Sequence, residues 1–216
     1  PRQFDVEHLH LLTALANLSA AAIRNAQLYE HAQRRAEQLD LVSRVSAQVS
    51  AMQPLPDLFA QVVTLTKQAF GYYYVGLFTY NGDELVTGAT TDPDLLDLAI
   101  DPGDGMVGWA AKQGRPALAS NVASDPRYRQ LGVLPETRSE VALPLKVEDR
   151  VLGVLDVQSD QVDAFDAEEV RLLETLASQI AVAVEQAETY DTGGGSPGRG
   201  IVTTSMTGTS RKLRMG

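Results

Sequence analysis

Leu11, Ala14, Leu18, Ala21, Asn25, Leu28, Ala32, Arg35, Leu39, Val42, Ser46 and Val49 follow one another at spacings of three and four, with no proline or glycine between them. That period keeps one stripe on one side of an α-helix and predicts a single helix over about residues 6–52, ended by Pro54 and Pro56. Six heptads with mostly apolar a and d positions predict that this helix pairs with another. The expected dimer stripe is Leu11, Leu18, Leu28, Leu39, Val42 and Val49. Asn25, Arg35 and Ser46 interrupt it, as happens where register is specified or allowed to shift. The alternative is packing of the helix on the chain's own sheet.

Beyond the prolines the period shortens. Asp57–Phe70 reads as a helix, capped by Asp57 and stopped by Gly71. Tyr72–Tyr80 and Glu84–Thr90 flank Asn81-Gly82-Asp83, a hairpin signal. Asp92–Leu98 is a short helix or turn, Met106–Gln113 a short helix ended by Gly114, and Pro116–Ser120 a short strand. A second hairpin joins Val141–Val147 to Arg150–Gln158 through Glu148-Asp149, and Asp166–Tyr190 closes the series as a helix. The order predicts an α+β fold with a largely antiparallel sheet. The run Thr192–Gly200 is linker chemistry, so 191–216 is expected to be a flexible Gly/Ser/Pro linker with a basic tail.

Residues 4–29 repeat residues 165–190 at an offset of 161, with 11 identities in 26 positions, among them the opening Phe-Asp and the closing Tyr. One such helix is therefore expected to be the last helix of a preceding domain of the same kind. The expected organisation is 1–29 as that helix, 30–56 as a connecting helix with its proline-containing end, 57–190 as the intact domain and 191–216 as linker and tail. In the intact copy, Asp166 as N-cap, Glu169 three residues on, and Phe165 with Val170 compose a capping box with a hydrophobic staple.

Among the 216 residues 44% are hydrophobic and 21% charged, an ordinary globular balance, and the formal net charge is −10. Arg199, Arg211, Lys212 and Arg214 sit in the tail against only Asp191, so the body is more acidic than the whole. An acidic body repels phosphate backbones, which disfavours nucleic-acid binding. There is no cysteine, which removes disulfides, thiolate metal sites, cysteine nucleophiles and thioether-attached cofactors. No stretch reaches the roughly 18 apolar residues of a membrane span. A soluble, cytoplasmic protein without membrane contact is expected.

Gly103-Asp104-Gly105-Met106-Val107-Gly108 matches G-x-G-x-x-G literally, but no long parallel strand precedes it, and Asp101 and Asp104 stand where a pyrophosphate would lie. These glycines are expected to permit a tight turn into the 106–113 helix, whose N-terminal N–H groups face a small polar ligand. His8, His10 and His31 all fall on the long helix without metal-type spacing, so no metal site is expected. Ser139-Glu140 and Asp125-Pro126-Arg127 are isolated polar groups from which no nucleophile and base can be paired, so no catalytic residue and no enzyme activity is expected.

The stretch Asp104–Pro116 with Asn121-Val122 and Ser124–Tyr128 resembles the central motif of the GAF family of sensory domains. Glu136–Leu145 and Gly153–Ser159, leading to Phe165-Asp166, resemble its final hairpin and closing helix. The resemblance implies a central antiparallel six-stranded sheet with flanking helices, here with a long N-terminal signalling helix. It implies a small-ligand pocket on one face of the sheet, lined by Tyr74, Phe78, Thr90, Trp109, Ser120, Asn121, Tyr128, Ser139 and Val141. Tyr74, Phe78, Trp109 and Val141 have a plain alternative as core, and Asp125–Tyr128 as a turn. The family's methionine-sulfoxide reductases use cysteines and its bilin-binding members attach pigment through one, so neither is expected; no covalent bilin and no other specific cofactor is implied. The function implied is a small-molecule-sensing regulatory domain of a multidomain, tandem-GAF signalling protein. Ligand state would pass through paired helices to an output domain of the same polypeptide, such as a histidine kinase or cyclase. The alternative is a ligand-free dimerisation and relay module.

Overall fold

A computed structural model describes residues 6–49 and 54–193. The chain divides into two compact units, the first ending at Asp40. Helix α1 (Val6–Val49) is continuous over 44 residues, close to the predicted span, with 50–52 outside the described residues. Leu11, Leu18, Leu28 and Leu39 are exposed on it. The side chains of Val42 and Val49 lie outside the described residues.

In the second unit, α2 (Leu55–Phe70) starts two residues before the predicted cap. Pro54 occupies the N-cap position without a side-chain bond, and Asp57 falls inside the first turn. Pro56 is tolerated there because first-turn N–H groups have no intrahelical partner to lose. Gly71 stops the helix in the left-handed conformation, φ 72°, its N–H donating to the Lys67 carbonyl.

The sheet comprises β1 (Tyr74–Asn81), β2 (Glu84–Thr90), β3 (Ala99–Ile100), β4 (Ala117–Ala119), β5 (Ser139–Val147) and β6 (Arg150–Ser159), in the order β3-β2-β1-β6-β5-β4 with every neighbour antiparallel. The predicted hairpins are β1–β2 and β5–β6. Beyond the start of α2, β1 begins at Tyr74 and not at the expected Tyr72, and further elements differ from expectation. The two-residue edge strand β3 is too short for alternation to show. A 3-10 turn at Val122–Ser124 follows β4, and β5 begins at Ser139, two residues before the predicted start. Helix α3 (Gly105–Gln113) ends at Gly114, and α4 (Ala167–Gly193) continues three residues into the segment expected to be linker; 194–216 lie outside the described residues.

Period-two alternation divides this unit into two cores. Val75, Leu77, Val141, Leu143, Leu155 and Val157 face α2 and α4. Tyr74, Phe78, Ala142 and Val154 face the opposite way, onto α3 and the loops around it. The predicted cap of α4 is present as drawn: Asp166 Oδ1 accepts from the N–H groups of Glu168 and Glu169 at 2.8 Å, and the Glu169 carboxylate accepts from the Asp166 N–H at 3.3 Å. Phe165 is buried in the same core against which Val170 packs. Asp166→Ala removes the acceptor of two orphan donors, and chemical denaturation is expected to show a loss of about 1 kcal/mol without a change in the slope m.

Candidate functional site: a buried carboxyl pair beneath the start of α3

On β5 and β6 the residues facing α3 are Glu140, Ala142, Val154, Asp156 and Gln158. Glu140 lies opposite Gln158 and Ala142 opposite Asp156, which sets the two carboxyls diagonally on neighbouring strands. Both are buried, at 4% and 2% exposure. Thr137 Oγ1 donates to Gln158 Oε1 at 2.7 Å, which orients the amide so that Nε2 donates to Asp156 Oδ2 at 2.8 Å. The second Asp156 oxygen, Oδ1, is buried, and besides Gln158 the carboxyl has Glu140 and the Val157 N–H as hydrogen-bonding neighbours. The neighbouring Glu140 carboxyl serves it only when it carries a proton. Burial, then the charge of Asp156, holds the Glu140 carboxyl well above the ordinary range, and burial pushes Asp156 up to about 7. Near neutral pH the pair shares a proton.

These groups floor a cavity walled by Tyr74, Phe78, Leu98, Ile100, Met106 and Val107, with Leu131 beside them and Asp104 and Arg129 at its rim. A water-sized sphere can occupy about 40 Å³ of it, room for roughly two or three waters. The glycine-rich run shapes the rim. Gly103 and Gly105 adopt φ 100° and 64°, and the Gly103 N–H donates to the Gly108 carbonyl at 2.7 Å. A Cβ on Gly108 would collide with the Asp101 carbonyl. The motif is therefore a turn that brings the first residues of α3 over the cavity, as expected from the absence of a preceding parallel strand. Asp104 and Arg129 form an ion pair at 3.5 Å across the opening.

Of the residues implied by resemblance, Tyr74 and Phe78 line the cavity. Thr90 stands behind Tyr74, its hydroxyl 3.4 Å from the phenol oxygen. Tyr128 is half-buried against the same core, its phenol raised by burial. Ser120 is half-buried and its carbonyl accepts from the Asp163 N–H. Four belong elsewhere. Val141 lies on the α4 side of the sheet, because alternation turns each successive side chain to the other face and leaves Glu140 and Ala142 on the cavity side. Ser139 is buried with its hydroxyl donating to the Gln161 carbonyl at 2.7 Å. Asn121 is exposed and accepts from the Ala123 N–H, capping the 3-10 turn. Trp109 supports the Arg127 guanidinium, 4.8 Å from its ring centroid, while Asp125 holds the same guanidinium through Nε and Nη2. That bonding pulls the Asp125 carboxyl below its ordinary range, and the Asp125–Tyr128 segment is a braced turn. The carboxyl pair and Gln158 were missed. Their signal was a polar residue at an inward position of an otherwise apolar strand.

A GAF domain profile matches residues 54–185. This chain belongs to the GAF domain family. GAF domains are signalling and sensing modules, and the six-stranded sheet with flanking helices is their fold. GAF domain-containing protein A of Dictyostelium discoideum is 28% identical over 107 residues, covering 50% of this chain and 66% of that protein, just under two thirds of its length. The free methionine-R-sulfoxide reductase of Neisseria meningitidis, solved with its substrate, is 25% identical with a TM-score of 0.63, covering 71% of this chain and 91% of the other. The GAF domain of a phosphoenolpyruvate-protein phosphotransferase of Coxiella burnetii shares the fold at 21% identity and a TM-score of 0.64, covering 72% and 97%. The reductases correct the expectation that the chain is no enzyme. Proteins of Neisseria, Thermoplasma acidophilum and Staphylococcus aureus run catalysis on this fold, so failure to pair a nucleophile and base in the sequence is no ground for exclusion. Among the described residues no group of three or more His, Asp or Glu is arranged to hold a metal ion, and no helix is long and apolar enough to cross a membrane.

The carboxyls fold with raised pKa values, so the folded state binds more protons than the unfolded chain between the two sets of values. Stability is then greatest below about pH 4 as far as this pair is concerned, and falls as pH rises toward about 7. Asp156→Asn is expected to flatten that slope and to raise stability at pH 8 by about 1 to 3 kcal/mol, read from denaturation curves across the pH range.

Proposed function

We propose that this GAF domain is the sensing module of a signalling protein and that the cavity under α3 takes a small molecule of amino-acid size bearing an ammonium or amide donor. The observation that supports this most is the Glu140–Asp156 carboxyl pair, buried on neighbouring strands at the floor of an otherwise apolar cavity. A ligand ammonium or amide N–H donates to that pair, the aromatic and aliphatic walls take an apolar side chain, and Arg129 at the rim suits a ligand carboxylate. The Neisseria reductase, at 25% identity, was solved with its substrate and acts on a free amino-acid derivative, methionine R-sulfoxide, which makes that compound the first probe. Binding shifts the population between two packings of the domain's helices, and the exposed stripe of α1 is read as the surface that pairs with a second chain and passes the state to an output domain such as a histidine kinase or cyclase.

The small space above the carboxyls favours a second reading, a relay module whose cavity takes no ligand. Calorimetric titration with free methionine R-sulfoxide, free methionine and other free amino acids separates the two, with the ligand recovered afterwards and weighed by mass spectrometry to detect turnover. Saturable binding is expected for at least one of them, weakened tenfold or more by Glu140→Ala and retained by Asn121→Ala. No heat with any of them, while the denaturation curve is that of a folded domain, leaves the relay reading standing.

A further inference from the structure

The inward side of α4 is set by Leu173, Leu176, Ala177, Ile180, Ala181, Ala183 and Val184, all in the core against the sheet. At the repeat offset of 161 these positions are Leu12, Leu15, Ala16, Ser19, Ala20, Ala22 and Ile23 of α1. Five of the seven are identical, one exchanges Val for Ile, and one replaces Ile180 by Ser19. In α1 all seven are exposed, Leu12, Leu15 and Ile23 by 53%, 52% and 60%. The outward positions of α4, Arg171, Thr175 and Ser178, are polar and exposed, and their counterparts His10, Ala14 and Asn17 are small or polar. The geometry points to a docking face on the first half of α1 whose occupant is the helix-bearing face of a GAF-type β-sheet, and not a second α1.

The small residues decide between those occupants. Ala16, Ala20 and Ala22 match three alanines by which α4 brings its backbone close to the sheet, whereas a coiled-coil seam is filled by large side chains at a and d. Leu18 and Leu28 correspond to Gln179 and Thr189, which are not in the α4 core. At 3.6 residues per turn Leu18 lies about 120° and Leu28 about 160° round from the centre of the docking face. The helix thus has two apolar faces, one matched to a sheet and one left for pairing with a helix. The first assignment does not depend on the ligand reading.

A graft in the full chain tests it, with the tryptophan of α3, the only one in the chain, as fluorescence reporter of unfolding. Phe165–Glu169 are kept so that the cap is intact, and residues 170–190 are replaced either by the sequence of 9–29, in register, or by that of 11–31, shifted by two residues. The shift turns the apolar face about 200° away from the sheet. The in-register graft is expected to keep a cooperative thermal transition and the shifted graft to lose it. Because Ser19 stands where Ile180 is buried, an in-register graft that fails is remade with Ser19→Ile. Loss of the transition in both in-register versions, or equal behaviour of in-register and shifted grafts, overturns the assignment and leaves a second α1 as the occupant.

Discussion

Strand β6, central in the sheet, and its neighbour β5 are covered on both faces, and that double coverage is the constraint on which the rest of the domain depends. A strand with one wet face tolerates polar residues at every second position. Here both sets of positions are enclosed, so each side chain belongs to one of two different interiors. Val141, Leu143, Leu155 and Val157 take the interior under α4, and Glu140, Ala142, Asp156 and Gln158 take the other. A slip of one residue would drive two carboxyls beneath α4 and four aliphatic side chains into the cavity. Gly153 shows how little slack the pairing has, since a Cβ there would meet the Phe78 carbonyl of β1.

The two interiors do different work. Beneath α2 and α4 the buried side chains are almost wholly aliphatic and aromatic, and burial there contributes stability, with only the Thr66 and Tyr72 hydroxyls buried as polar atoms without a close partner. On the α3 side, two carboxyls are withdrawn from water on neighbouring strands, which costs stability at neutral pH. Hydrophobic residues of similar volume would serve folding better. This costly group is held in place by Gln158 on β6 and by Thr137 just before β5, and the helical core is what offsets its cost.

Long elements with many repeats of one period were legible in the amino-acid pattern: α1, α4 with its capping box, and both hairpins. What escaped was short or set by tertiary contact. Two residues of β3 have no period, and the 3-10 turn at Val122–Ser124 depends on Asn121 reaching the Ala123 N–H. At the site, Tyr74 and Phe78 were legible as aromatic residues on the strand beside the cavity. Val141 was misplaced by one position, because resemblance locates a strand more securely than it tells which face a given residue takes. Glu140 and Asp156 were passed over because they form no motif along the chain. Their meaning arises only when antiparallel pairing sets them diagonally across two strands.

The contrast between floor and rim bears on how the cavity works. The floor is carried by the most enclosed strands and shares their stability. The rim is closed by Asp104 and Arg129, both about half exposed and 3.5 Å apart, a contact worth about 0 to 1 kcal/mol at most. Beside it, Gly103 and Gly105 hold positive φ and Gly108 is in tight backbone contact, so the loop before α3 is joined to the helix start by its own hydrogen bonds. Parting the rim therefore loses little, whereas spreading the strands would break the most enclosed part of the sheet. The rim adjoins α3 and the turn braced by Asp125, Arg127 and Trp109, on the opposite side of the sheet from α4. Between those two sides lies the sheet itself, and the residues that span it are the alternating pairs of β5 and β6.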